Sequence, residues 1–389
     1  MFKEITIIGG AGHVGLAFAL ICGAANIKVH IHDTNLDSIK LIKKGKMPHI
    51  ENNSNKILKN IIKKKLFSFS NKLEKIKLNK IIVVCLGTPI DEFFNPKHKD
   101  FLLFFEKLNK FLKNDHHILI RSTVYPGTTD FLNNFFKNNN KKIKITFYPE
   151  RFVQGSALDE FKKYPHILGS VNNESEKEAK KFLSIFSNKI ISLKPMEAEL
   201  TKLFLNSYRY VQFSIANQFY KIADNIDLNY EKIANAMTFK YQRGNIPSPG
   251  FTAGPCLFKD TMQLYSFAKN DFTLGLDAMS TNEGIVIYIV DKLKRKYNLS
   301  KKTVGILGMA FKAENDDIRS SLSYKLKKIL LINAKKVLTT DPYVKNDKEI
   351  ISLNKTIKGS DILILATPHK IYKKIMIKKP IIDIWNFIK

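Results

Sequence analysis

Two stretches of this chain carry residues whose types and spacing suit chemistry. One is Gly250-Phe251-Thr252-Ala253-Gly254-Pro255-Cys256-Leu257-Phe258-Lys259-Asp260, and the other is Gly10-Ala11-Gly12-His13-Val14-Gly15, behind a short apolar run. A nicotinamide site alone takes one hydride from an alcohol. A nucleophilic thiol added to it traps the aldehyde as a hemithioacetal, a second hydride transfer gives a thioester, and water releases an acid. Cys256 has two local readings. A loop cysteine near a cation such as Lys259 acquires thiolate character; a cysteine that only packs fits the same stretch equally well. Cys22, in the first helical pattern, and Cys85, in an apolar strand, read as inert core thiols.

The glycine run follows a strand and opens a helix, the context a dinucleotide needs. The glycines permit a tight turn, close approach of the pyrophosphate and close helix packing, and the helix N-terminus favours the anion. Asp33 ends the second strand, where a carboxylate accepts a ribose 2′-hydroxyl and repels a 2′-phosphate, so NAD is expected over NADP. Gly87-Thr88-Pro89, Ser122-Thr123-Val124-Tyr125-Pro126-Gly127-Thr128-Thr129 and Tyr148-Pro149-Glu150-Arg151-Phe152 each follow an apolar strand. Carboxyl ends of strands are where such sheets bind ligands, although Thr, Pro and Gly also serve plain turns. Glu199, Lys202 and Asn206 share one helix face, read either as Lys202 and Asn206 directed at one ligand or as a solvated face with an ion pair between Glu199 and Lys202.

These groups require an α/β scaffold. Apolar runs at Ile5–Ile8, Lys28–His32, Ile81–Cys85, His117–Arg121 and Ile143–Phe147 alternate with helical patterns and read as buried parallel strands. From Met196 to Asp224 apolar residues recur at helical spacing without Gly or Pro, a long helix that spans between domains or forms a dimer seam. Helices dominate to about residue 297, and Lys302–Gly308 restarts the α/β rhythm, with further strands at Lys336–Thr339, Asp361–Ala366 and Pro380–Ile384. The expectation is two Rossmann-like doubly wound domains joined by a long central helix and a helical dimerisation domain. The boundaries are 1–193, 194–299 and 300–389.

Composition narrows the classes. A chain of 389 residues with 44% hydrophobic content holds two or three domains with substantial cores. No apolar run approaches the roughly 18 residues that span a bilayer, and the N-terminus leads directly into a strand, so neither membrane nor secretion is expected. Three cysteines form no disulfide framework and lack metal-ligand spacing, which suits the cytoplasm and predicts no metal. The net charge of +29 arises from lysines spread along the chain, without an aromatic-basic recognition motif. It favours an anionic substrate over nucleic-acid binding. Against the lysine excess only Arg121, Arg151, Arg209, Arg243, Arg295 and Arg319 are arginine, and a retained arginine marks a need for the planar bidentate guanidinium.

The motifs together resemble the UDP-glucose/GDP-mannose dehydrogenase family nearly end to end. GGAGHVG is joined by GKMPHIE at 45–51, GTP at 87–89, RSTVYPGTT at 121–129, YPERFVQGSAL at 148–158, AELTKLFLNSYRYV at 198–211, GFTAGPCLFKD at 250–260 and GMAFKAENDDIRSS at 308–321. The PER form and AELTK with NSYR look most like the branch acting on UDP-N-acetylmannosamine or UDP-N-acetylglucosamine. The resemblance implies Cys256 as nucleophile, Lys202 and Asn206 at the oxyanion formed at C6, Asp260 and Thr123 on water and proton movement, and Glu150 as the catalytic-region carboxylate. It implies NAD held by Gly10, Gly12, His13, Val14, Gly15, Asp33, Thr88, Pro89, Thr123 and Arg319. The UDP-sugar would meet Glu150, Arg151, Phe152, Lys202, Asn206, Arg243, Phe251, Gly254, Phe311 and Lys312, with Arg243 reaching in from the second copy of a homodimer. Ala253-Gly254-Pro255-Cys256 departs from the usual Gly-Gly-His/Ser-Cys, Gln154 stands where many relatives have Glu, and a late substrate-binding arginine has no counterpart. The expected activity is a four-electron oxidation of C6 of a UDP-N-acetylhexosamine with two NAD, supplying a surface polysaccharide. The alternatives are a UDP-glucose 6-dehydrogenase, or a two-electron β-hydroxyacid dehydrogenase, which needs no cysteine. A non-enzymatic scaffolding or nucleic-acid role rests on charge alone.

Overall fold

The computed structural model describes residues 2–252 and 254–388; Ala253 of the cysteine loop lies outside them. The chain forms two compact units, Met1–Phe204 and Leu205–Lys389, with the division inside the long helix Pro195–Asn225.

The first unit is an eight-stranded sheet of β1 (Glu4–Ile8), β2 (Lys28–His32), β3 (Phe67–Ser70), β4 (Ile81–Val84), β5 (His117–Ile120), β6 (Lys144–Phe147), β7 (His166–Ser170) and β8 (Ile190–Leu193). Its order is β3-β2-β1-β4-β5-β6-β7-β8, with the connection reversing direction across β1, the position where doubly wound sheets open a crevice. Every pairing is parallel except β6 with β7, which run antiparallel through Thr146 and Ser170. The strands read as continuous apolar runs because both faces are covered. Ile5, Ile7, Ile81 and Val83 enter one cluster with Phe18 and Phe182, while Ile8, Ile82 and Val84 enter the other with Phe105 and Phe136. Burial of each such side chain contributes about 1.5–3 kcal/mol.

The five strands expected in this unit are present. β3, β7 and β8 were not expected, and each has a physical reason. β3 is an edge strand that alternates Phe with Ser. β7 contains His166 and Gly169, and a Cβ at Gly169 would lie 2.7 Å from that of Ala198. β8 is the other edge and leaves Ile191 45% exposed.

The helix Pro195–Asn225 starts where its chemistry dictates. Pro195 occupies the first helical position, where a missing N–H costs nothing. Glu197 reaches back to accept from the Lys194 backbone N–H at 2.8 Å, half of a capping box. The second unit contains this helix from Leu205 on, the helices Tyr230–Thr238, Leu257–Ala268 and Leu274–Lys296, and a parallel sheet of β9 (Thr303–Leu307), β10 (Lys336–Thr340), β11 (Ile362–Leu365) and β12 (Ile381–Ile382) in the order β10-β9-β11-β12. Ile285, Val286, Ile289 and Val290 of one helix pack with Val304 and Ile306 of β9 and with Leu326 and Leu330 of the helix Leu322–Asn333. Among the described residues no helix is long and apolar enough to cross a membrane.

Candidate active site

The glycine turn has the geometry its sequence implies. Gly9, at φ +72°, donates to the His32 carbonyl at 2.8 Å. A Cβ at Gly15 would stand 2.2 Å from the Gly9 carbonyl oxygen, so glycine there is required for the helix to sit on the turn. Gly12 differs: it is exposed, and nothing lies closer than 3.5 Å to a Cβ placed on it, leaving room for a ligand to approach the backbone. Gly12 also caps the helix His13–Ala24 without a side-chain acceptor, so its first N–H groups suit an anion. His13 stacks on His49 at 4.1 Å, and Val14 follows half-buried. The Asp33 carboxylate braces this turn, accepting from the Ala11 and Asn35 N–H groups at 2.9 Å each, and stays half-exposed. These residues fit NAD.

The strand-end loops meet at the same carboxyl edge. Thr88 donates from its hydroxyl to the Thr123 carbonyl at 2.6 Å, tying the loop after β4 to the loop after β5. Pro89 is exposed and accepts from the Lys97 N–H at 2.9 Å. Arg121, at the end of β5, is fully buried, its guanidinium 4.6 Å from the Phe18 ring and 4.3 Å from the Tyr148 ring and ion-paired with Glu150. Burial works against this charge and Glu150 more than offsets it, so the guanidinium is held above its usual range. The second Glu150 oxygen accepts from the Arg151 N–H at 2.9 Å and the Phe152 N–H at 3.0 Å. With both oxygens engaged, Glu150 fixes the turn after β6. Glu150, expected as the catalytic-region carboxylate, thus also braces its own turn. Removing it would strand a buried cation at about 3–5 kcal/mol. Arg151 donates to the Pro165 carbonyl at 2.9 Å, and Phe152 packs 5.2 Å from the Phe161 ring, so both are held within their own unit. Cys22 and Cys85 are core thiols, with burial pushing Cys22 up and Cys85 up to about 12.

On the long helix, Glu199 does not belong to a solvated face. Its carboxylate is buried and accepts from the Gly127 N–H at 2.6 Å and from the Thr129 N–H and hydroxyl at 2.8 and 2.5 Å, capping the helix Thr128–Asn138. Burial raises its pKa and these bonds work against that rise. Lys202 is half-buried one turn further on.

In the second unit Asn206 donates to the Asp260 carboxylate at 2.5 Å, and both side chains are buried. The other Asp260 oxygen pairs with Lys259 Nζ at 2.5 Å. Cys256 caps the helix Leu257–Ala268, its carbonyl accepting from the Asp260 N–H at 2.9 Å, and its side chain is exposed. A thiolate at a helix N-terminus is favoured by the helix dipole. Arg319 is ion-paired with Asp317 at 2.6 Å and lies close enough for the Cys256 sulfur to act on its charge. Gly254, at φ +105°, lies against Phe311, whose ring a Cβ would meet at 2.5 Å; this sets the cysteine loop beside the loop carrying half-buried Lys312. Phe251, expected to touch substrate, is 3% exposed and packs in an apolar cluster of this unit. Arg243 is exposed on the short turn Gln242–Gly244. Among the described residues no group of His, Cys, Asp and Glu is placed to hold a metal ion.

The first unit is a doubly wound sheet with a dinucleotide-type glycine turn, and the second presents a helix-capping thiol one turn from a buried carboxylate. Residues 3–187, 196–283 and 305–389 match the NAD binding, central and UDP binding domains of the UDP-glucose/GDP-mannose dehydrogenase family, and the chain belongs to that family. It is an oxidoreductase whose cofactor is NAD. It is 30% identical over 380 residues to a UDP-N-acetyl-D-mannosamine dehydrogenase of Methanocaldococcus jannaschii, covering 95% of this chain and 87% of the relative. To the enzyme of the same description from Pyrococcus horikoshii it is 29% identical over 401 residues, covering 98% and 95%. The solved Pyrococcus horikoshii UDP-D-ManNAc dehydrogenase superposes with a TM-score of 0.91 at 27% identity, covering 99% of this chain and 96% of that one.

Proposed function

We propose that the protein oxidises C6 of UDP-N-acetylmannosamine to the uronate by a four-electron reaction in which Cys256 is the nucleophile. The carrying observation is an exposed thiol capping the helix Leu257–Ala268, one turn from a buried Asp260 that holds Asn206. The balance is R–CH2OH + 2 NAD+ + H2O → R–COO− + 2 NADH + 3 H+. NAD, held by the glycine turn, Asp33, Thr88, Pro89, Thr123 and Arg319, accepts the electrons. Cys256 Sγ adds to the C6 aldehyde, and the hemithioacetal is oxidised to a thioester that water opens. Lys202 and Asn206, one helical turn apart, stabilise the oxyanion. Asp260 takes the proton of the attacking water, with Thr123 orienting it. Lys312 and Arg243 bind the diphosphate, and Glu150 with Arg151 and Phe152 shapes the turn beside the sugar. The three segments 1–193, 194–299 and 300–389 carry cofactor, thiol and UDP respectively. The acetamido preference rests on the relatives at 29–30% identity.

The protein works as a homodimer in the cytoplasm. Phe204, Tyr208, Ile215, Phe219 and Ile222 form an exposed apolar stripe along the long helix, with Phe204 54% and Tyr208 63% exposed. A second copy related by a two-fold axis covers such a stripe with its own.

NADH formation across UDP-N-acetylmannosamine, UDP-N-acetylglucosamine, UDP-glucose and GDP-mannose tests the substrate. The first is expected to give the highest kcat/KM, and a higher value with UDP-glucose overturns the assignment. Sized in solution, the same preparation should show twice 44.6 kDa; the monomer mass would remove the dimer.

A further inference from the structure

The second unit repeats the cofactor turn of the first and puts its carboxylate to another use. In the first unit β1 ends at Ile8, Gly9 takes a left-handed conformation and donates to His32, and Asp33 of the neighbouring strand end accepts from Ala11. In the second, β9 ends at Leu307, Gly308 is at φ +94° and donates to Thr340 at 2.8 Å, and Asp341 accepts from Met309 and Ala310 at 2.7 and 2.9 Å. Asp33 remains half-exposed and takes part in two bonds. The Asp341 side chain is 0% exposed, and its other oxygen accepts from the Tyr343 and Val344 N–H groups at 2.8 and 3.1 Å. A carboxylate so enclosed has nothing left for a ribose.

It is committed to His369 instead. The Glu314 backbone N–H donates to His369 Nδ1 at 3.0 Å, which makes Nδ1 an acceptor and leaves the ring proton on Nε2. Nε2 then donates to Asp341 at 3.1 Å, and the ring too is 0% exposed. Burial penalises the Asp341 charge, and the His369 bond with the backbone N–H groups outweighs it, holding the carboxyl below its usual range. Glu314, itself at φ +56°, accepts from the Lys370 N–H and the Tyr343 hydroxyl at 2.8 Å each. Thr367 donates to the Ala310 carbonyl at 2.6 Å. The segment Met309–Glu314 is thus pinned at its start by Asp341 and at its end by His369, with Phe311 and Lys312 between the pins.

We propose that Asp341 and His369 are positioning residues for the nucleotide: without touching it, they fix the backbone that presents Phe311 and Lys312 to the UDP diphosphate. This rests on the reading of Lys312 as a diphosphate ligand and is independent of which sugar is oxidised. The probe is UDP itself, titrated calorimetrically, beside NAD titration and kcat at saturating substrate. His369→Leu leaves a buried Glu314 N–H and the Asp341 carboxylate without their partner. It is expected to weaken UDP binding about 10- to 100-fold, with NAD affinity and kcat within about threefold. His369→Asn retains an acceptor near Nδ1 and is expected to recover part of the loss. Tyr343→Phe removes only the hydroxyl at Glu314, a milder change that keeps the core intact should His369→Leu fold poorly, and is expected to weaken UDP binding a few-fold at unchanged Tm. Unchanged UDP affinity in His369→Leu or Tyr343→Phe, or a parallel loss of NAD affinity, overturns the proposal. Lys312→Ala, expected to weaken UDP binding, separates the two readings. If Lys312→Ala is silent while His369→Leu is not, the assignment of Lys312 is wrong and the clamp acts through Phe311.

Discussion

Cys256→Ser is expected to stop uronate formation, lowering kcat by at least about 10³-fold while UDP-sugar and NAD still bind. The thiol sits at the cap of the helix Leu257–Ala268, where the helix dipole favours its anion. A serine hydroxyl in that place remains protonated near neutrality, and no histidine stands beside it in the motif to take the proton. The small fraction that reacts would give an oxygen ester, which water opens more slowly than a thioester, so mass spectrometry after mixing with substrate and NAD should find the protein carrying the acyl group. Exposure of Cys256 also means that the substitution removes little packing, unlike Cys22→Ser or Cys85→Ser, which alter the core of the first unit. Near-normal uronate production by Cys256→Ser would refute the covalent mechanism.

Asp260→Asn is expected to act later in the cycle. The carboxylate is buried, takes the Asn206 amide on one oxygen and Lys259 on the other, and lies one helical turn from Cys256. Asparagine retains the shape and loses the charge and the basicity. In the proposed mechanism the first oxidation uses Asn206 and Lys202 at the oxyanion, and an asparagine at 260 can still accept from Asn206 through its carbonyl. Opening of the thioester requires a base for the incoming water, and removing a positioned base costs about 10²–10⁴-fold. Stopped-flow recording should therefore show a rapid burst of NADH close to two per site, followed by a steady state about 10²-fold slower. A slow reaction without a burst would move Asp260 to the first oxidation and away from water.

The sequence reveals most of what is governed locally. Strands buried on both faces appear as apolar runs, the long helix as an unbroken 3.6 period, and the cofactor turn as three glycines between them, because each follows from a few consecutive residues. β3 and β8 escape because edge strands need no continuous apolar run. The antiparallel β7 escapes because nothing in His166–Ser170 marks its direction, which is fixed by Thr146 and Ser170 meeting across the sheet. Glu199 resembles a solvated residue until the helix Thr128–Asn138 is seen to begin on it. Glu150 has the residue type of a base, and the buried Arg121 that engages it is visible only once β5 and β6 pair side by side. Asp341 and His369 are 28 positions apart, on strand ends either side of β9, and no motif read along the chain joins them. The aromatic at 251 has a ligand-binder's neighbourhood in sequence, and its membership of an apolar cluster with β9 and the helix Leu274–Lys296 is set by residues far from it in the chain.

The four-electron chemistry is tested most directly by the ratio of NADH formed to sugar consumed, counted to completion with UDP-N-acetylmannosamine limiting and with a carbonyl-trapping hydrazine in solution. Oxidation carried through on Cys256 gives two NADH for each sugar, the uronate as product and no trapped aldehyde. One NADH for each sugar, with the aldehyde recovered as its hydrazone, would contradict it.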